Sequence, residues 1–216
     1  LPGGIDMKRN VTILAKNPFT TRVKTRLGKD IGTDAARGVY ARLLYQTLNQ
    51  LVPSRSSVSL TLSLISYEDR TFFEEAFPEL KITQQTSGDL GMKMDHALQS
   101  AFKTGAQTAI VIGSDLPAMG WDLVDQAFEQ IREKTVVLGP SRDGGYYLIG
   151  MQTPGINVFK DIPWSTESVL VTTLEIIREA GYQPILLPEH QDIDLSSDLQ
   201  QWQAELKKRG TKVKKG

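Results

Sequence analysis

Ala109-Ile110-Val111-Ile112-Gly113-Ser114-Asp115-Leu116-Pro117 decides how this chain of 216 residues is read. Its apolar run, rich in large and β-branched side chains, predicts a strand buried on both faces. Glycine, a small hydroxyl residue, a carboxylate and a proline then stop it, so Asp115 stands at the carboxyl end of a strand. In open α/β sheets that edge is where ligands bind, and a carboxylate there commonly holds a divalent cation against phosphate oxygens. Asp115 is therefore read as a metal anchor. The alternative is local: the same carboxylate caps a helix beginning near Trp121, or closes the turn before Pro117.

Outward from this strand, elements of both kinds alternate. Val11–Ala15 is a short apolar strand. Thr33 to Leu51 carries Ala36, Val39, Tyr40, Leu43, Leu44, Leu48 and Leu51 at helical spacing, with Pro53 beyond the end. Val58 to Ile65 alternates apolar with small polar residues and reads as a strand. A helix through Phe72, Phe73 and Phe77 ends at Pro78, its phenylalanines read as core. A short strand at Leu80–Gln84, a helix through Ala97, Leu98, Ala101 and Phe102, and a helix near Trp121 to Glu133 follow. Thr135–Leu138 and Tyr146–Gly150 are strands joined by Asp143-Gly144-Gly145, a hairpin or bulge signal. A helix capped by Ser165 or Thr166, a last strand at Gln183–Pro188 and a terminal helix through Trp202 and Leu206 complete the pattern. This alternation predicts a mostly parallel sheet between helical layers, with an antiparallel strand near Tyr147.

Composition bounds the function. Twenty-five basic residues balance twenty-five acidic ones, so the overall field gives no reason to expect nucleic acid or an anionic membrane as partner. Any phosphate site must be local. Without cysteine there is no disulfide, thiol nucleophile or thiolate zinc site. No apolar run is long enough to span a bilayer, and the expectation is a cytoplasmic protein. The length fits one domain, placed at 7–208. Residues 1–6 precede Met7 without pattern and read as a cloning remnant; 209–216 reads as a solvated basic tail.

Chemistry-bearing residues fall between these elements. The segment from Lys16 to Leu27 holds four cations and three threonines, a combination suited to a polyphosphate or simply a solvated basic loop. It lacks the Gly-Lys-Ser/Thr signature of a P-loop. Gly88-Asp89-Leu90-Gly91 sits before a helix, where N–H groups can approach a ligand, or where Asp89 simply serves the helix dipole. Asp192 and Asp194 lie two residues apart on a stretch read as extended, and the expectation is that they do not point the same way. One of them completes a metal site with Asp115, or one of them, or Ser196, caps the terminal helix.

Several stretches together resemble the DUF2064 family. They are Ala15-Lys16-Asn17-Pro18 with Val23-Lys24-Thr25-Arg26-Leu27, Gly88-Asp89-Leu90-Gly91, Ile112 to Pro117, Leu138-Gly139-Pro140 with Asp143 to Gly150, Ile162 to Thr166, and Asp192-Ile193-Asp194 with Asp198-Leu199. That family is described as glycosyltransferase-like, is related to 2-phospho-lactate guanylyltransferase, and falls within the nucleotide-diphospho-sugar transferase (GT-A) fold. The resemblance implies a Rossmann-like three-layer α/β/α sandwich and a Mg²⁺- or Mn²⁺-dependent transferase using a nucleoside triphosphate or nucleotide-sugar and a small-molecule acceptor. Carried onto this sequence, it gives Lys24 and Arg26 to the phosphates, with Lys16 in support, and Asp115 to the metal.

The full expectation is then Lys24, Arg26 and Asp143 as catalytic residues. Lys16, Thr25, Gly88, Asp89, Gly91, Lys93 and Ser114 contact the nucleotide, and Asp115, Asp194 and Asp192 ligate the metal. Thr21 replaces a glycine usual in the family, and Lys93 replaces an arginine whose bidentate fork a lysine cannot reproduce. Those departures motivate a second reading, a non-catalytic nucleotide-binding or partner-docking module on the same fold.

Overall fold

Buried β-branched strands alternating with one-faced helices leave the chain one economical solution: a sheet with helices on both sides. The computed structural model describes residues 8–53, 57–153 and 155–213; residues 1–6, read as a cloning remnant, the start expected at Met7, and the last three residues of the tail lie outside them. In chain order the elements are β1 (Arg9–Ala15), α1 (Thr25–Ile31), α2 (Thr33–Leu51), β2 (Val58–Leu64), α3 (Arg70–Ala76), β3 (Lys81–Gln84), α4 (Leu90–Lys103), β4 (Thr108–Ile112), α5 (Trp121–Gln130), β5 (Thr135–Pro140), β6 (Tyr146–Gln152), α6 (Val169–Glu179), β7 (Gln183–Leu186) and α7 (Ser196–Val213). The described strands form one seven-stranded sheet, order β3-β2-β1-β4-β6-β5-β7. β6 pairs antiparallel with β4 and β5, and the remaining pairings are parallel. The expected antiparallel strand near Tyr147 is thus β6, and its hairpin with β5 carries a register shift at Gly139/Pro140.

Period-two alternation divides the strand residues between two cores. Val11, Ile13, Leu60, Leu62, Ile110 and Ile112 face Leu44, Leu48, Phe73, Val124 and Phe128 from α2, α3 and α5. Ala109, Val111, Val136, Leu138 and Ile149 face Met94, Leu98 and Ile177 from α4 and α6. Phe73 is fully buried, as the core reading of the phenylalanine stripe requires, whereas Phe72 is 43% exposed. A third cluster joins Leu27 of α1, Ala36 and Leu43 of α2, and Ile193, Leu199 and Trp202 around the start of α7. Full burial of Leu27 stabilises this junction by roughly 1.5–3 kcal/mol. Leu27 lies three residues after Lys24 and Ile193 one before Asp194, so the cluster and the two polar residues are neighbours in the fold.

Three local expectations are corrected. The basic segment after β1 is not loop throughout: Thr25, Arg26 and Leu27 belong to α1, and the turn before it closes through Thr21 N–H donating to the Asn17 carbonyl at 2.9 Å. Neither Ser165 nor Thr166 caps α6, which starts at Val169 after Ser168; Ser165 takes the left-handed region at φ 68°. The basic end is not separate either, since α7 continues to Val213.

Candidate functional site

The chain runs from β1 outward through β2 to β3, then returns to place β4 on the other flank of β1. The gap between the carboxyl ends of β1 and β4 is therefore the point where the winding reverses, the usual ligand crevice of open α/β sheets. Asp115 follows β4 there, and it does not cap α5, whose first residue is preceded by Gly120.

Lys24 enters this crevice from the β1 side. Its Nζ lies 3.1 Å from Asp115 Oδ2 and 2.7 Å from Asp194 Oδ1, with its side chain only 3% exposed against 41% and 38% for the two carboxylates. Burial is the largest influence on the ammonium and lowers its pKa, but Asp115 and Asp194 together outweigh it, and the net shift is upward. Lys24 is therefore charged at neutral pH. Its backbone sits in the left-handed region at φ 47°, ψ 48°, immediately before α1. A non-glycine residue held there costs on the order of 1–2 kcal/mol, so the ion pairs maintain a conformation the chain would not choose alone.

Tyr40, on the inner face of α2, ties the crevice together from below. Its hydroxyl accepts a hydrogen bond from the Lys16 N–H and shares one with Ser114 Oγ, both at 2.9 Å. Burial and then the Asp115 charge push the phenol up to about 12, so it remains a neutral hydrogen-bonding group. On the β3 side, Gln85 Nε2 donates to the carbonyls of Ala15 and Ser63 at the ends of β1 and β2. The strand ends around the crevice are thus cross-linked through side chains.

Asp194 and not Asp192 forms the ion pair with Lys24. Strict strand alternation would put residues two apart on one face, but 191–194 is not a regular strand, so the expected divergence does not come from alternation. Asp198 Oδ2 accepts from the N–H groups of Asp194 and Leu195, and Ser196 Oγ donates to Asp30 Oδ2 of α1. Asp198, in the first turn of α7, thus reaches back to the chain just before the helix. Asp192 is raised to about 6, first by burial and then by the neighbouring charges of Asp143 and Asp194. Asp143 Oδ1 accepts from Ser141 Oγ at 2.6 Å and from Gly145 N–H at 3.0 Å, closing the β5–β6 turn. Gly144 (φ 86°) packs against the Glu167 backbone, where a Cβ would come within 2.2 Å of the carbonyl oxygen.

The structure thus brings together Lys24, Asp115, Asp194 and Ser114, with Asp192 and Asp143 in electrostatic reach. Lys16 is anchored by its backbone while its side chain is exposed, and Thr25 and Arg26 are exposed on the first turn of α1. At the start of α4, Asp89 serves as the cap, accepting from Met92 N–H at 2.9 Å. Gly91 is buried, and a Cβ there would lie 2.6 Å from the Trp164 ring, a packing demand independent of any ligand; Gly88 is exposed and Lys93 half-buried. Thr21, though it stands where glycine is usual, is not among the residues with positive φ, so the turn tolerates it. Sequence reasoning missed Tyr40 and Asp198: the first looked like one more member of the apolar stripe, and the second lies in an Asp-Ile-Asp-Leu-Ser-Ser-Asp run whose carboxylates composition alone does not distinguish.

Two carboxylates meeting at one point suit Mg²⁺ or Mn²⁺, which typically takes one or two protein carboxylates and completes its shell with water and substrate phosphates. Asp115 Oδ1, buried without a hydrogen-bond partner among the described residues, is a further donor of the right kind. Among the described residues there is no group of three or more His, Cys, Asp or Glu that could hold a metal.

The mostly parallel sheet between helices is a fold that this chain shares with solved nucleotidyl- and glycosyltransferases. The chain belongs to the DUF2064 family, described as "uncharacterized protein conserved in bacteria", whose model matches residues 47–166. A solved structure from Desulfovibrio desulfuricans G20, described as a candidate nucleotide-diphospho-sugar transferase, is 31% identical with a TM-score of 0.81, over 89% of this chain and 85% of that one. The 4-diphosphocytidyl-2C-methyl-D-erythritol synthase of Anaerococcus prevotii DSM 20548 shares the fold at 11% identity and TM-score 0.63, covering 94% and 97% of the two chains. A mannosyltransferase from Pyrobaculum calidifontis, solved with GDP-Man and Mn²⁺, shares it at 12% identity and TM-score 0.54, covering 86% of this chain and 56% of that one. Among curated proteins none matches the chain in sequence. No described helix is long and apolar enough to cross a membrane.

Proposed function

We propose that the chain is a divalent-metal-dependent transferase acting on a nucleotide-activated donor, with nucleotidyl transfer from a nucleoside triphosphate as the leading reaction. The observation that carries this reading is the convergence of Lys24, Asp115 and Asp194, from three distant stretches, at the switch point of the sheet. Asp115 and Asp194 would hold Mg²⁺ or Mn²⁺, which when bound polarises the phosphoryl oxygens and offsets their charge. Lys24 and the exposed Arg26 and Lys16 supply positive charge where negative charge grows on the phosphates. Asp143, on the β5–β6 turn, faces the acceptor side. An acceptor oxygen attacks the α-phosphorus, the bond to the bridging oxygen breaks, and pyrophosphate leaves.

Glycosyl transfer is the second reading, favoured by the 31% identical relative, which is described as a candidate nucleotide-diphospho-sugar transferase. In that case attack falls on the anomeric carbon and a nucleoside diphosphate leaves. The acceptor in either case is a small molecule. Thermal shift against a panel of nucleoside triphosphates and nucleotide-sugars, with and without Mn²⁺, tests the reading. One donor class should stabilise the protein only with metal, and Asp115→Ala should abolish that stabilisation. Release of pyrophosphate or of nucleoside diphosphate from that donor then separates the two reactions. Stabilisation that ignores both metal and Asp115→Ala would instead favour a non-catalytic nucleotide-binding module.

A further inference from the structure

Lys24 is placed oddly for a residue whose only task is to receive phosphate. A phosphate-binding lysine gains by presenting its ammonium to solvent, yet this one is almost fully enclosed and already spent on two carboxylates. It sits where a cation between Asp115 and Asp194 would sit. We infer that Lys24 is a resident stand-in for the divalent cation, holding Asp115 and Asp194 together until a metal-bound donor displaces its ammonium from between them.

Three observations support this beyond the contact itself. The local charge is unbalanced: one ammonium serves both carboxylates, Asp115 and Asp194, directly. A single positive charge leaves this group net negative, and a divalent ion matches it better. The ammonium contacts Asp115 through Oδ2, while the buried Oδ1 has no hydrogen-bond partner among the described residues. That arrangement leaves an acceptor which a coordination shell would use and a lone ammonium does not. Finally, Lys24 holds a left-handed backbone conformation next to the seven-residue helix α1, so the residue can relax when its side chain is released.

The device would suit an enzyme of the class proposed above. Without donor, the ammonium keeps two carboxylates from repelling each other and discourages capture of stray metal. With donor, the released ammonium would be free to pair with the phosphates. The inference rests on that functional reading only for the identity of the displacing ligand; the competition between lysine and metal can be measured without any nucleotide.

Mn²⁺ binding in the absence of nucleotide, followed by calorimetry and by the loss of free-ion electron paramagnetic resonance signal, tests it. Lys24→Met keeps an unbranched side chain, one atom shorter, and removes the charge. It should bind Mn²⁺ at least tenfold more tightly than the wild type, and adding Asp115→Asn to it should remove that gain. Metal-free Lys24→Met should melt below the wild type and recover on adding Mn²⁺. If Lys24→Met does not fold, Lys24→Gln gives the same comparison with a polar neutral side chain. Equal Mn²⁺ affinity in wild type and the folded neutral variant overturns the inference. So does a wild-type crystal with Mn²⁺ and the stabilising donor in which Nζ still bridges both carboxylates. A tenfold gain with no donor turned over would leave the lysine–metal exchange standing and remove the transferase reading instead.

Discussion

Replacing Tyr40 by phenylalanine isolates what the buried hydroxyl does, because ring packing and charge stay the same. The hydroxyl accepts from Lys16 N–H and shares a hydrogen bond with Ser114 Oγ. Phenylalanine leaves both groups without that partner at a buried junction between the β1 and β4 ends. A neutral hydrogen bond contributes about 0.5–1.5 kcal/mol net, and an orphaned buried partner costs about 1–3 kcal/mol. A loss of about 2 kcal/mol is therefore expected, less than the sum of two isolated losses because Ser114 Oγ can rotate. In urea this lowers the midpoint by about 1 M at an unchanged slope of about 2 kcal/mol/M. For a chain of this length the matching drop in Tm is about 4–8 °C. A double-mutant cycle with Ser114→Ala sharpens the test: the shared bond predicts a coupling of about 0.5–1.5 kcal/mol. Additive effects, or a Tyr40→Phe variant within about 0.3 kcal/mol of the wild type, would refute the claim that this hydroxyl fastens the two strand ends together.

Gly91→Ala should destabilise by about 1–3 kcal/mol, read by chemical denaturation, because its methyl would meet the Trp164 ring at 2.6 Å. Asp192 titrates in the folded state at about 6, above its value of 3.8 in the open chain. The folded state thus binds the proton more tightly, and stability falls as pH rises from about 4 to about 6. Asp192→Asn should accordingly stabilise the metal-free protein by about 1–2 kcal/mol at pH 7, after allowance for partial solvent screening, and by nothing below pH 4. A pH series of denaturation curves decides it. Asp198→Ala removes the acceptor for two N–H groups and should cost about 1 kcal/mol. Its loosening of Asp194 should also weaken metal-dependent donor binding severalfold in titration calorimetry.

The sequence made the sheet legible because its signals are local. Ile110, Val111 and Ile112 cannot sit on a solvent face, and the Asp143-Gly144-Gly145 turn forces the chain to reverse between β5 and β6. The helix limits of α2 follow directly from its apolar stripe and the residues after it. Where the reading slipped, the deciding interaction was distant. Ser165 looks like a cap in isolation, but the stretch before α6 is shaped by packing against Gly144. Thr25 and Arg26 look like loop, but Leu27 three residues on is drawn into the cluster with Leu43 and Trp202, and a helix forms around it.

The same distinction explains the site. Asp115 could be singled out because the strand before it fixes where its carboxylate must be. Lys24 could be named as a cation near phosphate, but not as the partner of Asp194, since 170 residues separate them and no periodicity relates them. Beside them in the chain stand two apolar side chains of one buried cluster, Leu27 and Ile193, that any reading for chemistry passes over. Replacing either with alanine would open a cavity in the cluster they share and cost about 2–5 kcal/mol. If the cluster sets the geometry of the pair, Leu27→Ala should also weaken the Lys24–Asp194 contact, although it touches neither charged group. The Lys24 pKa would then fall with the loss of its neighbour's charge, which NMR titration of the lysine Nζ can follow. An unchanged titration in a destabilised Leu27→Ala protein would mean that the ion pair holds its own geometry and that the apolar clamp serves stability alone.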